Sequence, residues 1–277
     1  MGRAGGDGPF VLLLHGISSH HLSWAPVVRE LLDRAPAAQV LAVDLRGRGA
    51  SNGIGGPYGI AHHVEDAVAV LDAAGASRAV VAGHSMGAWA AVRMAVEHPA
   101  RVSAAILVDG GVSGAQPPGV RDDPDAVLDA VLGPAVARLR MTFAAPEDYV
   151  DFWRAHPAFA DGRFNADVEA YARYDLEGEP GALESRAREA AVRTDGRDLL
   201  LDEPTRSAAG AAAVPLTLLR AERGLLHDAP FLEAATVEAF RAAQPVAEVV
   251  EMPGVNHYTA TLGSGAAAVA GAIARRL

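Results

Sequence analysis

Ala79-Val80-Val81-Ala82-Gly83-His84-Ser85-Met86-Gly87-Ala88-Trp89-Ala90-Ala91-Val92 is the stretch on which the reading of this chain turns. A short apolar run leads into Gly-x-Ser-x-Gly and then into residues that are apolar on most sides. That order reads as a buried strand, a sharp bend and a helix packed under a sheet. Gly83 and Gly87 stand where such a bend has no room for a side chain. The bend lifts the Ser85 hydroxyl to the N-terminus of the helix. The Met86 N–H then points at the place where a carbonyl oxygen becomes negative during acyl transfer. Ser85 is the candidate nucleophile.

Working outward, five more runs of the same kind appear: Pro9–Leu14, Val40–Val43, Ser103–Val108, Val214–Leu219 and Ala247–Val250. They are short, apolar or β-branched, and most end at a polar or glycine-rich turn, as strands buried on both faces of a parallel sheet do. Helical patterns lie between them at Trp24–Leu32, Ile60–Leu71, Met86–Val96, Phe231–Phe240 and Ala266–Leu277. Strands alternating with helices predict a doubly wound α/β fold.

The alternation fails from about Pro117 to Ala213. That stretch shows no convincing strand and has helical segments near Asp125–Leu132, Pro146–Arg154, Ala166–Tyr174 and Ala182–Arg193. It is also rich in aromatic residues. The expected organisation is a core of residues 1–116 and 213–277 with a helical cap of residues 117–212 between two strands of the sheet. Phe152, Trp153 and Tyr149, with Phe143, are the candidate substrate contacts in that cap. Its Asp/Glu-rich segments are expected to be a solvated outer face.

Composition narrows the functional classes. A net charge of −10 disfavours nucleic acid, whose phosphates need a basic surface. The chain has no cysteine, so thiolate metal sites and disulfides are excluded. It has no lysine either, which excludes Schiff-base and P-loop chemistry. No apolar run reaches the ~20 residues needed to cross a bilayer, and the apolar run at the N-terminus is too short for a signal peptide. The expectation is a cytoplasmic protein with no membrane partner. The pairs His20-His21 and His62-His63 are neighbours in sequence, whose side chains point apart on regular elements, so no metal site is expected from either.

Two further motifs complete the pattern: His15-Gly16 at the end of the first strand, and Asp44-Leu45-Arg46-Gly47-Arg48-Gly49-Ala50-Ser51 after the second. The glycines of the latter miss the dinucleotide-binding spacing by one residue, so this loop reads as structural. His15-Gly16, Asp44 to Ser51 and Gly83 to Gly87, in this order and spacing, resemble the α/β-hydrolase superfamily. The resemblance covers nearly the whole chain apart from the cap, and it speaks to fold far more than to substrate. It implies a second oxyanion donor at the Ile17 N–H beside that of Met86. It also implies a histidine after the last strand, a place that His257 in Pro253-Gly254-Val255-Asn256-His257-Tyr258 alone can fill.

Two departures from the family stand out. Members of the family usually carry the acid in a Gly-Glu-x-Asp turn after the penultimate strand, where this chain has Ala221-Glu222-Arg223-Gly224. Asp109, in Leu107-Val108-Asp109-Gly110, is the expected acid instead, a placement similar to that of zearalenone-type lactonases and some haloalkane dehalogenases. Glu222 and Asp228 are the alternatives. Members also usually carry an antiparallel hairpin before the His-Gly strand, and here it is expected to be either missing or cut off by a late start of the sequence. Its absence would leave Val40–Val43 as an open sheet edge and a place for a homodimer to form.

The resemblance therefore implies a serine hydrolase acting on a small apolar or aromatic ester or lactone, with no cofactor or metal. Carbon–carbon bond hydrolysis and non-catalytic binding of a small ligand are the other readings.

Overall fold

The computed structural model describes residues 2–277. In chain order the elements are β1 (Gly2–Gly5), β2 (Phe10–Leu14), α1 (Ala25–Arg34), β3 (Gln39–Ala42), α2 (Ile60–Ala73), β4 (Ala79–His84), α3 (Met86–Glu97) and β5 (Val102–Val108). The inserted segment carries α4 (Pro124–Arg138), α5 (Pro146–Arg154), α6 (Ala166–Tyr174), β6 (Leu176–Glu177), β7 (Glu184–Ser185), α7 (Glu189–Leu201) and α8 (Glu203–Ala211). The chain ends with β8 (Leu216–Arg223), α9 (Ala234–Ala243), β9 (Glu248–Asn256), α10 (Thr259–Leu262) and α11 (Ala266–Ala274).

The main sheet runs β1-β3-β2-β4-β5-β8-β9. All its neighbours are parallel except β1, which pairs antiparallel with β3. The strands alternate between two hydrophobic layers. Leu12, Leu14, Val81 and Leu107 face α2, α3, α8 and α9, while Val11, Leu13, Ala82 and Val108 face α1 and α11. A strand with a fully buried residue at every position has no polar face, which is why these runs read as continuously apolar. Among the described residues no helix is long and apolar enough to cross a membrane.

The structure corrects two expectations. β3 is not an open edge, because Gly2–Gly5 covers it with the register Gly2–Ala42 to Gly5–Gln39. The case for a dimer through that strand goes with it. The helix expected over Ala182–Arg193 starts only at Glu189, since Leu176–Glu177 and Glu184–Ser185 form a small antiparallel pair. Gly178 and Gly181, at φ 105° and 94°, make the turn between them, a conformation open to glycine at little cost. The helix α8 packs mainly against α3 on the sheet and also meets α7.

Candidate active site

Ser85 sits on the bend between β4 and α3 at φ 52° and ψ −124°. That strained conformation costs a non-glycine residue on the order of 1–3 kcal/mol and is held by its surroundings. A Cβ on Gly83 would lie 2.0 Å from the Gly87 carbonyl oxygen, and one on Gly87 would lie 2.1 Å from that of Leu14. Any larger residue there would push the bend out of the sheet. Ser85 N–H donates to Val108 O at 2.9 Å, which ties the bend to β5.

His257 follows β9. Its Nδ1–H donates to Asp109 Oδ2 at 2.7 Å. Asp109 is fully buried at the end of β5 with φ 46°. Its N–H donates to Leu219 O at 2.8 Å, and its Oδ1 accepts Ala221 N–H at 3.1 Å. Both oxygens of the carboxylate are therefore engaged, one by the imidazole and one by β8. Glu222 is exposed and accepts Gly254 N–H at 2.7 Å, and Asp228 is exposed as well. Of the three carboxylates considered from sequence, the structure brings only Asp109 to the histidine.

His84 supports the arrangement from below. Its Nε2–H donates to His257 O at 2.8 Å, and the two rings lie 4.7 Å apart. Burial first, and then His257 beside it, hold the His84 imidazole well below its ordinary pKa, so it is neutral and donates from one nitrogen only.

The loop after β2 closes the other side. A Cβ on Gly16 would lie 3.3 Å from Ser85 Cβ, so the loop passes directly against the bend. His15 is fully buried; its Nδ1–H donates to Gly16 O at 2.8 Å and its Nε2 accepts Leu45 N–H at 2.9 Å. Burial pushes its pKa down to about 3 and so keeps it neutral. Among the described residues no acceptor takes the Ile17 N–H. Met86 opens α3, where a backbone N–H has no intrahelical partner. Two donors without partners among the described residues thus lie near Ser85, one on the residue after it and one on the loop that lines the same cleft.

Two clefts meet there. A small one of about 40 Å³ is lined by Ser85, His257, Tyr171, Tyr258 and Leu262. A larger one of about 340 Å³ runs under α4 and α7, lined by Trp89, Leu128, Leu132, Leu199 and Phe231 together with Ile17 and Ser85. Its size falls in the range of small-molecule sites.

Tyr149, Phe152 and Trp153 line neither cleft. They form the inner aromatic cluster of the inserted segment, with Tyr149 fully buried and Trp153 2% exposed. Trp153 packs its edge on Tyr149, Tyr171 and Tyr258. A helical layer this thin buries its largest side chains for cohesion, which keeps these three out of the clefts.

His20 and His21 also differ from expectation. Their ring nitrogens and the Asp44 carboxylate gather within 4.8 Å of one another, because His20 is extended and His21 begins a helical turn. Asp44 is already saturated: it accepts His21 N–H and Nδ1–H, Ala50 N–H and the Tyr174 hydroxyl. His20 is fully buried, stacks on Tyr171 and donates to its carbonyl oxygen.

The expectation of an entirely solvated acidic surface on the inserted segment holds only in part. Arg197–Asp125 joins α7 to α4 near the surface, and Arg140, just after α4, pairs with Glu189 of α7. Asp175 and Asp195, by contrast, are buried against Arg138 and Arg48. No local signal marks these two aspartates. Arg48 lies in the loop quoted from sequence, but its burial depends on a partner almost 150 residues away.

Comparison with known proteins agrees with this fold. The model of the alpha/beta hydrolase family matches residues 11–272. A putative carbamate hydrolase RutD of Variovorax paradoxus is 30% identical over 203 residues, covering 68% of this chain and 75% of the relative. RutD of Caulobacter vibrioides is 37% identical over 101 residues, or 36% of each chain, so the match spans about a third of that relative's length. Among solved structures, E-2-(acetamidomethylene)succinate hydrolase superposes with a TM-score of 0.78 at 23% identity, covering 97% of this chain and 91% of that one. A thioesterase domain from the curacin pathway gives 0.73 at 22%, covering 98% and 93%. At those identities the structural matches speak to the fold alone.

Proposed function

The chain belongs to the alpha/beta hydrolase family, and from that premise we propose that it is a hydrolytic enzyme that cleaves a carboxylic ester or lactone through an acyl-serine intermediate on Ser85. The observation that carries this reading is the His257–Asp109 hydrogen bond, at 2.7 Å, behind the cleft that His257 and Ser85 line together. The bond fixes the proton of the neutral imidazole on Nδ1 and leaves Nε2 free to act as a base.

His257 takes the Ser85 proton as the oxygen attacks the carbonyl. The Asp109 carboxylate stabilises the imidazolium that forms. The N–H groups of Ile17 and Met86 hold the oxyanion, each donor being worth about 3 kcal/mol in the transition state. The alcohol leaves with the proton from His257. Water activated by the same imidazole then releases the acid.

The larger cleft suits an aliphatic or compact aromatic group, since its lining offers few charges. The helices of the inserted segment act as its roof. A serine nucleophile favours acyl over alkyl transfer, because an alkyl–serine ether could not be hydrolysed by the second half of this cycle. The test is turnover of p-nitrophenyl esters of two to eight carbons, a lactone panel and alkyl carbamates by the protein and by Ser85→Ala. The expected result is ester turnover that falls at least 10³-fold on substitution. Equal rates in the two proteins would end the proposal.

A further inference from the structure

Three consecutive carbonyls of the loop after β2 are each held by hydrogen bonds within the protein. Gly16 O accepts from His15 Nδ1–H at 2.8 Å and from Ser19 N–H at 3.1 Å. Ile17 O accepts Arg48 Nε–H at 2.8 Å. Ser18 O accepts Arg138 Nη2–H at 3.1 Å. Arg48 is fully buried and Arg138 is 2% exposed.

Each guanidinium is backed by a buried carboxylate of the inserted segment. Arg48 Nη2 lies 2.7 Å from Asp195 Oδ2 on α7, and Arg138 pairs with Asp175, just after α6. Asp195 also accepts Gly59 N–H at 2.7 Å and His63 Nε2–H at 2.8 Å, which fastens α7 to the start of α2. Asp175 also accepts the Tyr149 hydroxyl and, at 2.9 Å, that of Ser185. Neither pair is at the surface, and neither touches Ser85 or His257.

Buried ion pairs of this kind contribute little net stability against apolar residues of the same volume, because desolvation offsets most of the attraction. Their value lies in geometry. A peptide's N–H and C=O point in opposite directions in one plane, so holding Gly16 O fixes the direction of the Ile17 N–H. The Arg48 bond to Ile17 O fixes the next peptide plane, and the Arg138 bond to Ser18 O fixes the one after it. The loop cannot rotate without breaking a charged hydrogen bond.

We propose that Arg48–Asp195 and Arg138–Asp175 are positioning pairs that lock the Ile17 N–H in register with Ser85, so that the inserted segment sets the oxyanion geometry of the core. This rests on the proposed role of the Ile17 N–H as an oxyanion donor. The roof over the cleft then has a second task besides shaping it: its two aspartates hold the arginines that hold the loop.

The test uses the full chain with Asp195→Asn, Arg48→Lys and the charge-neutral doubles Arg48→Met/Asp195→Asn and Arg138→Met/Asp175→Asn. For each, kcat and KM on p-nitrophenyl butyrate, the inhibition constant of an alkyl boronic acid and the thermal midpoint are measured. The boronate forms a tetrahedral adduct on serine, with an oxygen where the oxyanion would lie. Loss of a whole donor costs about 10²–10³ in kcat. A displaced donor is therefore expected to lower kcat about 10- to 100-fold in the doubles and about 5-fold in Asp195→Asn. KM should stay within about threefold, and boronate affinity should weaken by the same factor as kcat/KM.

A fold that merely loosens would lower the midpoint without that parallel. Folded variants that keep kcat and boronate affinity within twofold overturn the proposal, as does a fall in kcat with boronate affinity unchanged. Asp195→Asn leaves volume and both arginines in place and decides the matter if the doubles do not fold. If the unaltered protein is not inhibited by the boronate, or Ser85→Ala still turns over, the acyl-serine reading fails instead.

Discussion

Replacing Asp109 by asparagine changes one oxygen for an amide in a site that is fully buried, so packing is preserved and the chemistry alone is altered. The Ala221 N–H, at 3.1 Å from Oδ1, obliges the asparagine to keep its carbonyl oxygen on that side. The amide group then faces His257 Nδ1, where the native carboxylate accepted at 2.7 Å. Nδ1 must become an acceptor, and the imidazole proton moves to Nε2, the nitrogen needed as a base. Flipping the amide would rescue the tautomer but would leave the buried Ala221 N–H facing a donor, at a cost of about 1–3 kcal/mol. The negative charge that stabilises the imidazolium is lost in either case. The same change in a serine-protease triad lowers kcat about 10⁴-fold. A fall of about 10³- to 10⁴-fold is expected here, which corresponds to about 4–5 kcal/mol of transition-state stabilisation. KM should move less than threefold, because Asp109 lines neither cleft. The assay is steady-state hydrolysis of p-nitrophenyl butyrate with the thermal midpoint as a control, and Glu222→Gln in parallel. Glu222 is exposed and should change kcat less than twofold. An Asp109→Asn protein that folds and keeps more than a tenth of native kcat would refute the reasoning, and so would an equal loss in Glu222→Gln.

Two other outcomes follow from the burial pattern. Phe152→Ala removes a ring packed on Phe143, Tyr149 and Trp153. It should cost about 2–3 kcal/mol in urea unfolding and leave kcat and KM within twofold, whereas a tenfold rise in KM at unchanged stability would restore it as a substrate contact. Stability should also fall with acid. Burial holds His15 and His20 at pKa values of about 3, against 6.5 when unfolded. The unfolded chain therefore binds more protons between those values, so stability is complete above pH 6.5 and is lost as pH falls toward 3. Each of the two should cost about 2 kcal/mol at pH 5. Urea midpoints that do not change between pH 7 and 5 would contradict this.

The features legible in the sequence are those set by neighbours along the chain. The bend at Gly83–Gly87 is local, because a φ of 52° at Ser85 needs small residues within two positions of it. The buried strands are local too, since a run such as Val11–Leu14 is apolar on both faces. His257 could be assigned by order alone, as it follows β9. The acid could be narrowed to three carboxylates, with Asp109 preferred among them on resemblance alone. Asp109 and Glu222 both end strands, and only the registration of β5 against β8 and the loop after β9 shows which one points inward. Tertiary structure alone decided the burial and pairing of Arg48, Arg138, Asp175 and Asp195, and it moved Tyr149, Phe152 and Trp153 from the cleft into a core. A charge on a helix looks solvated until its partner is known, and an aromatic ring looks available until the layer it packs in is built. Both depend on contacts between segments distant in sequence, which no local pattern encodes.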